Sequence, residues 1–147
     1  MRLTLRTDYA LRILMYVALK GEALSTISQV VRDFGISQGH VMKVVHDLGK
    51  KGYLETIRGK NGGFRLARKA SQINVGAVVR DMEEELGVVG CLQDQKGFCA
   101  IEKHCVLRGA LRDATTAFLA TLDQYTVEDL TKPRRSLTAR LKFDKAR

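Results

Sequence analysis

Apolar residues recur at helical spacing along most of the chain. Over residues 7–20 they lie on one face, and Gly21 follows where a helix would stop. The pair Thr26 and Gln29 matches a capping box, which predicts the start of a second helix that ends at Gly35. The first third of the chain is therefore predicted to be helical, with breaks at its glycines.

A third helix is predicted over residues 38–50. Ser37 can cap it, and Val41, Val44 and Leu48 would share its buried face. Two short helices separated by a glycine-containing turn of three residues are typical of a helix-turn-helix.

The period then changes from helical to alternating. Residues 53–58 form a short β-type run, 59–63 a glycine-rich turn, and 64–66 a return strand. A hairpin that directly follows a helix-turn-helix predicts a winged helix. We therefore expect a mainly α fold with a small β-hairpin wing.

The second half is predicted to contain three more helices. Residues 74–86 have helical periodicity, 88–104 lose it, and a long helix begins at Cys105. A last short helix is expected from Thr126, ended by Pro133. The small residues of the long helix would allow close packing against another helix, and its apolar stripe has near-heptad spacing: Leu107, Leu111, Ala114, Phe118, Leu122 and Tyr125.

Charge is distributed in blocks of opposite sign. The net charge of the 147 residues is +9, and residues 32–69 alone carry nine basic and three acidic groups. Residues 70–131 lean acidic, and 132–147 carry seven basic groups and one acidic group. We accordingly divide the chain into a winged-helix DNA-binding region (1–70), a loop with a dimerisation helix (71–131) and a basic tail (132–147).

Composition narrows the functional classes. No apolar stretch is long enough to span a membrane and no secretion signal is recognisable, so we expect a cytoplasmic protein. Motifs typical of hydrolases, nucleotide-binding enzymes and metalloproteases are missing from the sequence, which argues against an enzyme. The acidic run Asp81, Glu83, Glu84 and Glu85 is interpreted as a solvated helix face.

The basic block predicts a DNA interface. The N-terminal residues of a recognition helix reach base edges in the major groove. Here they are Ser37, Gln38 and His40, and Lys43 follows one turn later, in reach of a phosphate or a guanine. The wing would bring Arg58 and Lys60 to the negative potential of the minor groove.

Three cysteines lie in the acidic-leaning region, at positions 91, 99 and 105. Their spacing lacks the close pairs of a structural zinc site. Iron–sulfur clusters tolerate looser spacing and sometimes a ligand other than cysteine. The spacing alone leaves a cluster, zinc with His104, and three unrelated thiols open.

Together these features resemble a known family. The opening residues 3–12 (LTLRTDYALR), the wing residues 58–66 (RGKNGGFRL) and the three-cysteine loop are similar to the bacterial iron–sulfur winged-helix transcription regulators of the IscR/NsrR type. Among these regulators the chain resembles the nitric-oxide-sensing repressors most. The resemblance covers nearly all of the chain up to about residue 130 and leaves the basic tail outside.

The resemblance implies a transcriptional repressor controlled by a cofactor. It implies a homodimer held by the long helix, an inverted-repeat operator in double-stranded DNA, and one iron–sulfur cluster per subunit bound by Cys91, Cys99 and Cys105. A [4Fe-4S] cluster is expected in preference to [2Fe-2S]. Nitric oxide would attack the cluster and release the DNA. The alternative signal is iron–sulfur status or thiol redox state.

The fourth cluster ligand is also an inference from the resemblance. Such regulators can use a carboxylate from the opening helix of the partner subunit, and Asp8 occupies that place here. A residue in the first turn of a helix is also favoured there by the helix dipole alone. Glu85 and His104 are the alternatives to Asp8.

Overall fold

The computed structural model describes residues 2–93, 99–101, 104–141 and 143. Within them the chain forms helices and one antiparallel hairpin, which confirms the predicted fold class. No helix in these ranges combines the length and apolar character needed to cross a membrane. The elements are α1 (Leu5–Lys20), α2 (Ile27–Phe34), α3 (Gln38–Lys50), β1 (Leu54–Ile57), β2 (Gly63–Leu66), α4 (Val75–Met82), α5 (Val106–Leu122), α6 (Val127–Leu130) and α7 (Arg134–Arg140).

Local sequence signals set the starts of the DNA-binding helices. Thr26 and Gln29 form the predicted capping box at α2, and Gly35 ends that helix in the left-handed conformation. The Ser37 side chain accepts from the backbone N–H of His40 at the start of α3. The helix-turn-helix is thus fixed by caps that satisfy otherwise unpaired backbone donors.

The wing is a two-stranded hairpin whose register pairs Glu55 with Arg65 and Ile57 with Gly63. Its turn needs glycine at two places. Gly59 has a φ of +113°, and a Cβ at Gly62 would overlap the carbonyl oxygen of Ile57. Outside the hairpin, Phe64 exchanges two backbone hydrogen bonds with Ser25, which ties the wing to the connection before α2.

Helix α1 lies at the centre of the core. It packs against α3, α4, α6 and β2, so the DNA-binding elements and the second half of the chain share one hydrophobic cluster. The largest fully buried side chains of this cluster are Tyr16, Phe64, Ile13, Leu14, Leu48, Ile73 and Met82.

Two elements differ from the sequence prediction. Helix α4 ends at Met82 and not at residue 86, because Glu83 is extended and its carboxylate accepts from the backbone N–H of Thr4. Pro133 does not end the helical part of the chain, since α7 follows it directly. Proline is tolerated there because the first residues of a helix have no intrahelical acceptor for their N–H groups.

Candidate DNA interface and cysteine segment

The N-terminal half of α3 presents its polar side chains to solvent. Gln38, His40 and Lys43 are all exposed. The His40 ring is held from two sides, by a 2.9 Å hydrogen bond between its Nδ1 and Ser37 Oγ and by the Tyr9 ring at 5.9 Å. This arrangement gives α3 one oriented imidazole flanked by side chains that can extend towards a base or a phosphate.

The tip of the wing carries unpaired positive charge. Arg58 and Lys60 are exposed in the turn, and no carboxylate among the described residues forms a salt bridge with either. Arg65, by contrast, is paired with Glu55 across the hairpin at 2.9 Å. The tip of the hairpin therefore offers positive charge to a polyanion, and contact of Arg58 and Lys60 with DNA stays a prediction.

Arg6 is a candidate functional residue that sequence reasoning missed. Its guanidinium lies 3.0 Å from Asp47 Oδ2 on α3 and 3.4 Å from Glu84 Oε1, just after α4. The Nε atom of Arg6 is buried and has no hydrogen-bond partner among the described residues. Nothing in the sequence signals this bridge, because its two carboxylates lie 41 and 78 positions away from Arg6.

A second contact joins α4 to the base of the wing. The Tyr53 hydroxyl donates to Asp81 Oδ2 at 2.6 Å, and the Arg68 guanidinium lies 4.6 Å from the centre of the Tyr53 ring. Burial, and then the hydrogen bond to Asp81, raise the pKa of Tyr53, so the hydroxyl stays a neutral donor. The acidic run is thus not merely a solvated face, since Asp81, Glu83 and Glu84 all bind other elements.

We call residues 91–105 the cysteine segment. Its described part has a defined shape around Cys91. Cys91 lies in a single helical turn, Gly90–Leu92. The Gln93 side chain donates a 3.0 Å hydrogen bond to the carbonyl oxygen of Gly87 and so ties the end of this turn to the residues before it. A Cβ at Gly87 would approach the Leu92 backbone to 2.8 Å, so a glycine is needed for this close approach.

Cys105 lies at the other end of the segment. It caps α5, where its sulfur accepts from the backbone N–H of Arg108 at 3.4 Å. The positive end of the helix dipole favours an anionic ligand at this position. Cys91, Cys99 and Cys105 are all free and partly exposed.

The donor set fits an iron–sulfur cluster by its chemistry. Thiolates are the usual ligands of such clusters, and none of the three sulfurs is used in a disulfide. The structure does not bring them together: among the described residues no three His, Cys, Asp or Glu side chains are grouped so as to hold a metal ion. The intervening residues 94–98, 102 and 103 lie outside the described part of the chain.

The candidates for a fourth ligand lie in different places. Asp8 is partly exposed in the first turn of α1 and pairs with Arg12 through two contacts of 3.0 and 2.8 Å. Glu85 is exposed after α4, beside Leu86 and Val88, and His104 is exposed next to Cys105. All three side chains are accessible, and none is grouped with the cysteines of its own chain as the structure describes them.

A capped helix-turn-helix followed by a basic wing is the architecture of a winged-helix DNA-binding protein. Residues 3–133 match the Rrf2 family model, described as "Iron-dependent Transcriptional regulator". The chain belongs to the Rrf2 family, and it is a DNA-binding transcription regulator and not an enzyme.

Similar proteins span the same length. The chain is 45% identical to the "HTH-type transcriptional regulator NsrR" of Halalkalibacterium halodurans, over 97% of this chain and 99% of the relative. It is 44% identical to the regulator of the same name from Bacillus subtilis, with the same two coverages. These similarities include the cysteine segment, and they imply a regulator that carries an iron–sulfur cofactor.

Solved structures confirm the architecture. The global cysteine regulator CymR of B. subtilis is 25% identical, has a TM-score of 0.71, and covers 88% of this chain and 95% of its own. The T. potens IscR structure has a TM-score of 0.74 at 19% identity, covering 99% of this chain and 94% of its own, and so supports the fold.

Proposed function

We propose that the chain is a homodimeric repressor that binds an inverted-repeat operator and loses that binding when nitric oxide is present. The cofactor in this proposal is a [4Fe-4S] cluster, in preference to [2Fe-2S]. Its ligands would be Cys91, Cys99 and Cys105 of one subunit and Asp8 of the partner subunit. Nitric oxide is proposed as the signal because the chain is similar, over nearly its full length, to regulators named NsrR.

The observation that carries the proposal is the connection between the cysteine segment and α3. Glu83 and Glu84 precede Cys91 in the chain and contact the start of α1, through Thr4 at 2.8 Å and Arg6 at 3.4 Å. Arg6 also contacts Asp47 on α3. A change in the position of the segment before Cys91 would therefore reach α3 through one intervening side chain.

Asp8 is placed to extend this connection to a second subunit. It lies two residues after Arg6 on α1, and its carboxylate is 39% exposed. When bound, the cluster would supply iron that nitric oxide can attack. Carboxylate oxygen is a poor match for soft iron–sulfur chemistry and should exchange readily. Release of Asp8 would free α1, Arg6 and α3 to shift, so the two recognition helices would no longer match a fixed half-site spacing.

The interface residues have distinct roles in this proposal. Ser37 and His40 are held in place at the start of α3. Gln38 is exposed, with its amide Nε2 4.0 Å from Met42 Sδ, and would bind a base edge. Lys43, Arg58 and Lys60 would bind phosphates or the minor groove. Operator affinity would thus depend on charge at the wing, and operator choice on α3.

The test is anaerobic purification followed by an absorbance spectrum, iron and sulfide analysis, and a nitric oxide titration while DNA binding is followed by fluorescence anisotropy. The operator can be selected from genomic fragments that the protein retains. We expect a brown protein whose DNA is released by nitric oxide. Release by thiol oxidants or by iron depletion, with no effect of nitric oxide, would contradict the proposed signal.

Single variants test the ligands. Cys91→Ala, Cys99→Ala and Cys105→Ala should each lose iron, sulfide and operator binding, yet remain folded, because none of these residues belongs to the hydrophobic core. Asp8→Ala should keep a cluster with an altered spectrum and nitric oxide response. Glu22→Ala, which removes an exposed carboxylate in the turn after α1, is the control. If Asp8→Ala equals the control in spectrum, affinity and dose, Glu85 and His104 are tested next.

A further inference from the structure

The basic tail is not an isolated appendage, because it is attached to the DNA-binding unit. The Arg134 guanidinium donates a 2.6 Å hydrogen bond to the carbonyl oxygen of Leu19, near the end of α1. A helix C-terminus has carbonyl groups without an intrahelical partner and a partial negative charge, so an arginine is well suited to this place. Arg134 therefore anchors α7 to α1.

Apolar contacts hold the described part of the tail beside the helix-turn-helix. Leu137 and Leu141 line an apolar cavity with Tyr16 and Phe34, and the Phe143 ring lies 5.0 Å from that of Tyr16. Tyr16 is in turn 5.7 Å from Phe34, the last residue of α2. One aromatic ring thus separates the tail from the turn that leads into the recognition helix.

The cations of α7 that do not serve as anchors face solvent. Arg135 and Arg140 are exposed, although Arg140 also lines the cavity formed with Leu137 and Leu141. No carboxylate of the described residues forms a salt bridge with either arginine. Residues 132–147 carry seven basic groups and one acidic group in the sequence. Arg135 and Arg140 therefore add positive charge to a docked helix beside the helix-turn-helix, and residues 32–69 of the sequence are already basic.

We propose that α7 forms an additional contact surface for the DNA backbone, in which Arg135 and Arg140 bind phosphates beside the groove occupied by α3. Two arginines on a docked helix supply charge without base-reading geometry, so the contact raises affinity for any duplex and does not select sequence. The family match ends at residue 133, so this surface is an addition to the matched part of the chain.

The test measures how duplex affinity depends on salt, using the full-length, cofactor-loaded protein and a duplex of generic sequence. Each lost phosphate contact lowers the slope of log affinity against log salt by about 0.9. Arg135→Gln with Arg140→Gln should therefore weaken binding at low salt. The affinity loss between 50 and 200 mM salt should shrink about 3.5-fold for each lost contact, or about 12-fold for each subunit of the dimer whose α7 lies on the duplex.

Two matched variants complete the design. Arg135→Lys with Arg140→Lys keeps the charge and should restore the wild-type slope. Arg112→Gln removes an exposed arginine from α5, far along the chain from α7, and should leave the slope unchanged. An unchanged slope in the double glutamine variant would overturn the proposal. So would a loss of affinity accompanied by dissociation of the dimer in ultracentrifugation, because the tail would then act between subunits.

Discussion

Gln38 and Arg58 are both exposed, and we expect them to have different tasks in DNA binding. Gln38 is exposed in the first turn of α3, where an amide can form two hydrogen bonds with a base edge. Arg58 is exposed in the wing turn, and its charge can bind phosphate or the narrow minor groove whatever the sequence. Replacing Gln38 should therefore change base preference, whereas replacing Arg58 should change affinity for any duplex.

We expect Gln38→Ala to cost about 1–3 kcal/mol on the operator and to relax the preference for a base at that position. Arg58→Ala should instead weaken operator and generic duplex alike and lower the salt slope by about 0.9 for each subunit whose wing lies on the duplex. Anisotropy titrations on both duplexes at several salt concentrations separate the two effects. If Arg58→Ala binds both duplexes as the wild type does, the wing is not at the DNA.

Helix α6 shows how a short element is held in place. It has four residues, and its N-terminus is closed by a capping box between Thr126 and Asp129. Val127 is fully buried and its N–H donates to the carbonyl oxygen of Ile73 at 2.9 Å. Lys132 Nζ lies 2.6 Å from Asp129 Oδ1. Because the Asp129 carboxylate makes both the capping-box hydrogen bond and this ion pair, the stability of α6 should depend on the protonation of Asp129.

The pKa of the Asp129 carboxyl lies well below its ordinary value, first because Lys132 and then because Thr126 donate hydrogen bonds to it. A carboxyl with a pKa lowered by folding stabilises the fold above its unfolded pKa of about 3.9. That contribution is lost as the pH falls towards the lower folded pKa. We therefore expect Asp129→Asn to be less stable than wild type at neutral pH and to lose less stability in acid.

Urea unfolding of the cofactor-free chain at about pH 7 and about pH 3 measures this difference. Lys132→Gln removes the other partner of the pair and should reduce the pH dependence in the same direction. The same change in the free energy of unfolding for wild type and Asp129→Asn would contradict the assignment.

At the scale of the whole molecule, a single chain leaves apolar side chains of α5 exposed. None of its residues is buried, and Val106 and Leu107 are 86% and 64% exposed. Leu111, Phe118 and Leu122 are half-buried, and α5 packs against α4 and the Gly90–Leu92 turn. The stripe predicted from the sequence is thus only partly covered within one chain, and its residues Leu107 and Ala114 are exposed. The exposed face consists of Val106, Leu107, Ala110, Ala114 and Ala117.

This face of small residues allows a second helix to approach closely, and we expect it to form the centre of the dimer. Ala114→Glu should place a charge in that contact and give a monomer that no longer binds paired half-sites. Thr116→Glu, exposed on another side of α5, is the matched control. Sedimentation velocity at micromolar concentration distinguishes the two variants. A dimer of wild-type strength for Ala114→Glu would place the interface elsewhere.

The sequence by itself determined the winged helix and supplied the residues that we expect to contact DNA. Caps at Thr26 and Ser37, the glycines of the wing and the apolar periods are local signals, read within a few positions of each other. The exposed positions of Gln38, Lys43, Arg58 and Lys60 follow from those periods. For the cysteines the sequence supplies three thiols of suitable chemistry.

Tertiary structure alone decided how these parts are connected. Arg6 between Asp47 and Glu84, Tyr53 on Asp81, and Phe143 on Tyr16 join residues 28 to 127 positions apart, which no local period encodes. The early end of α4 and the docking of α7 have the same cause. These side chains contact their partners only after the core has brought distant elements together. The free energy of tertiary packing then overrides the local conformational preference of the chain.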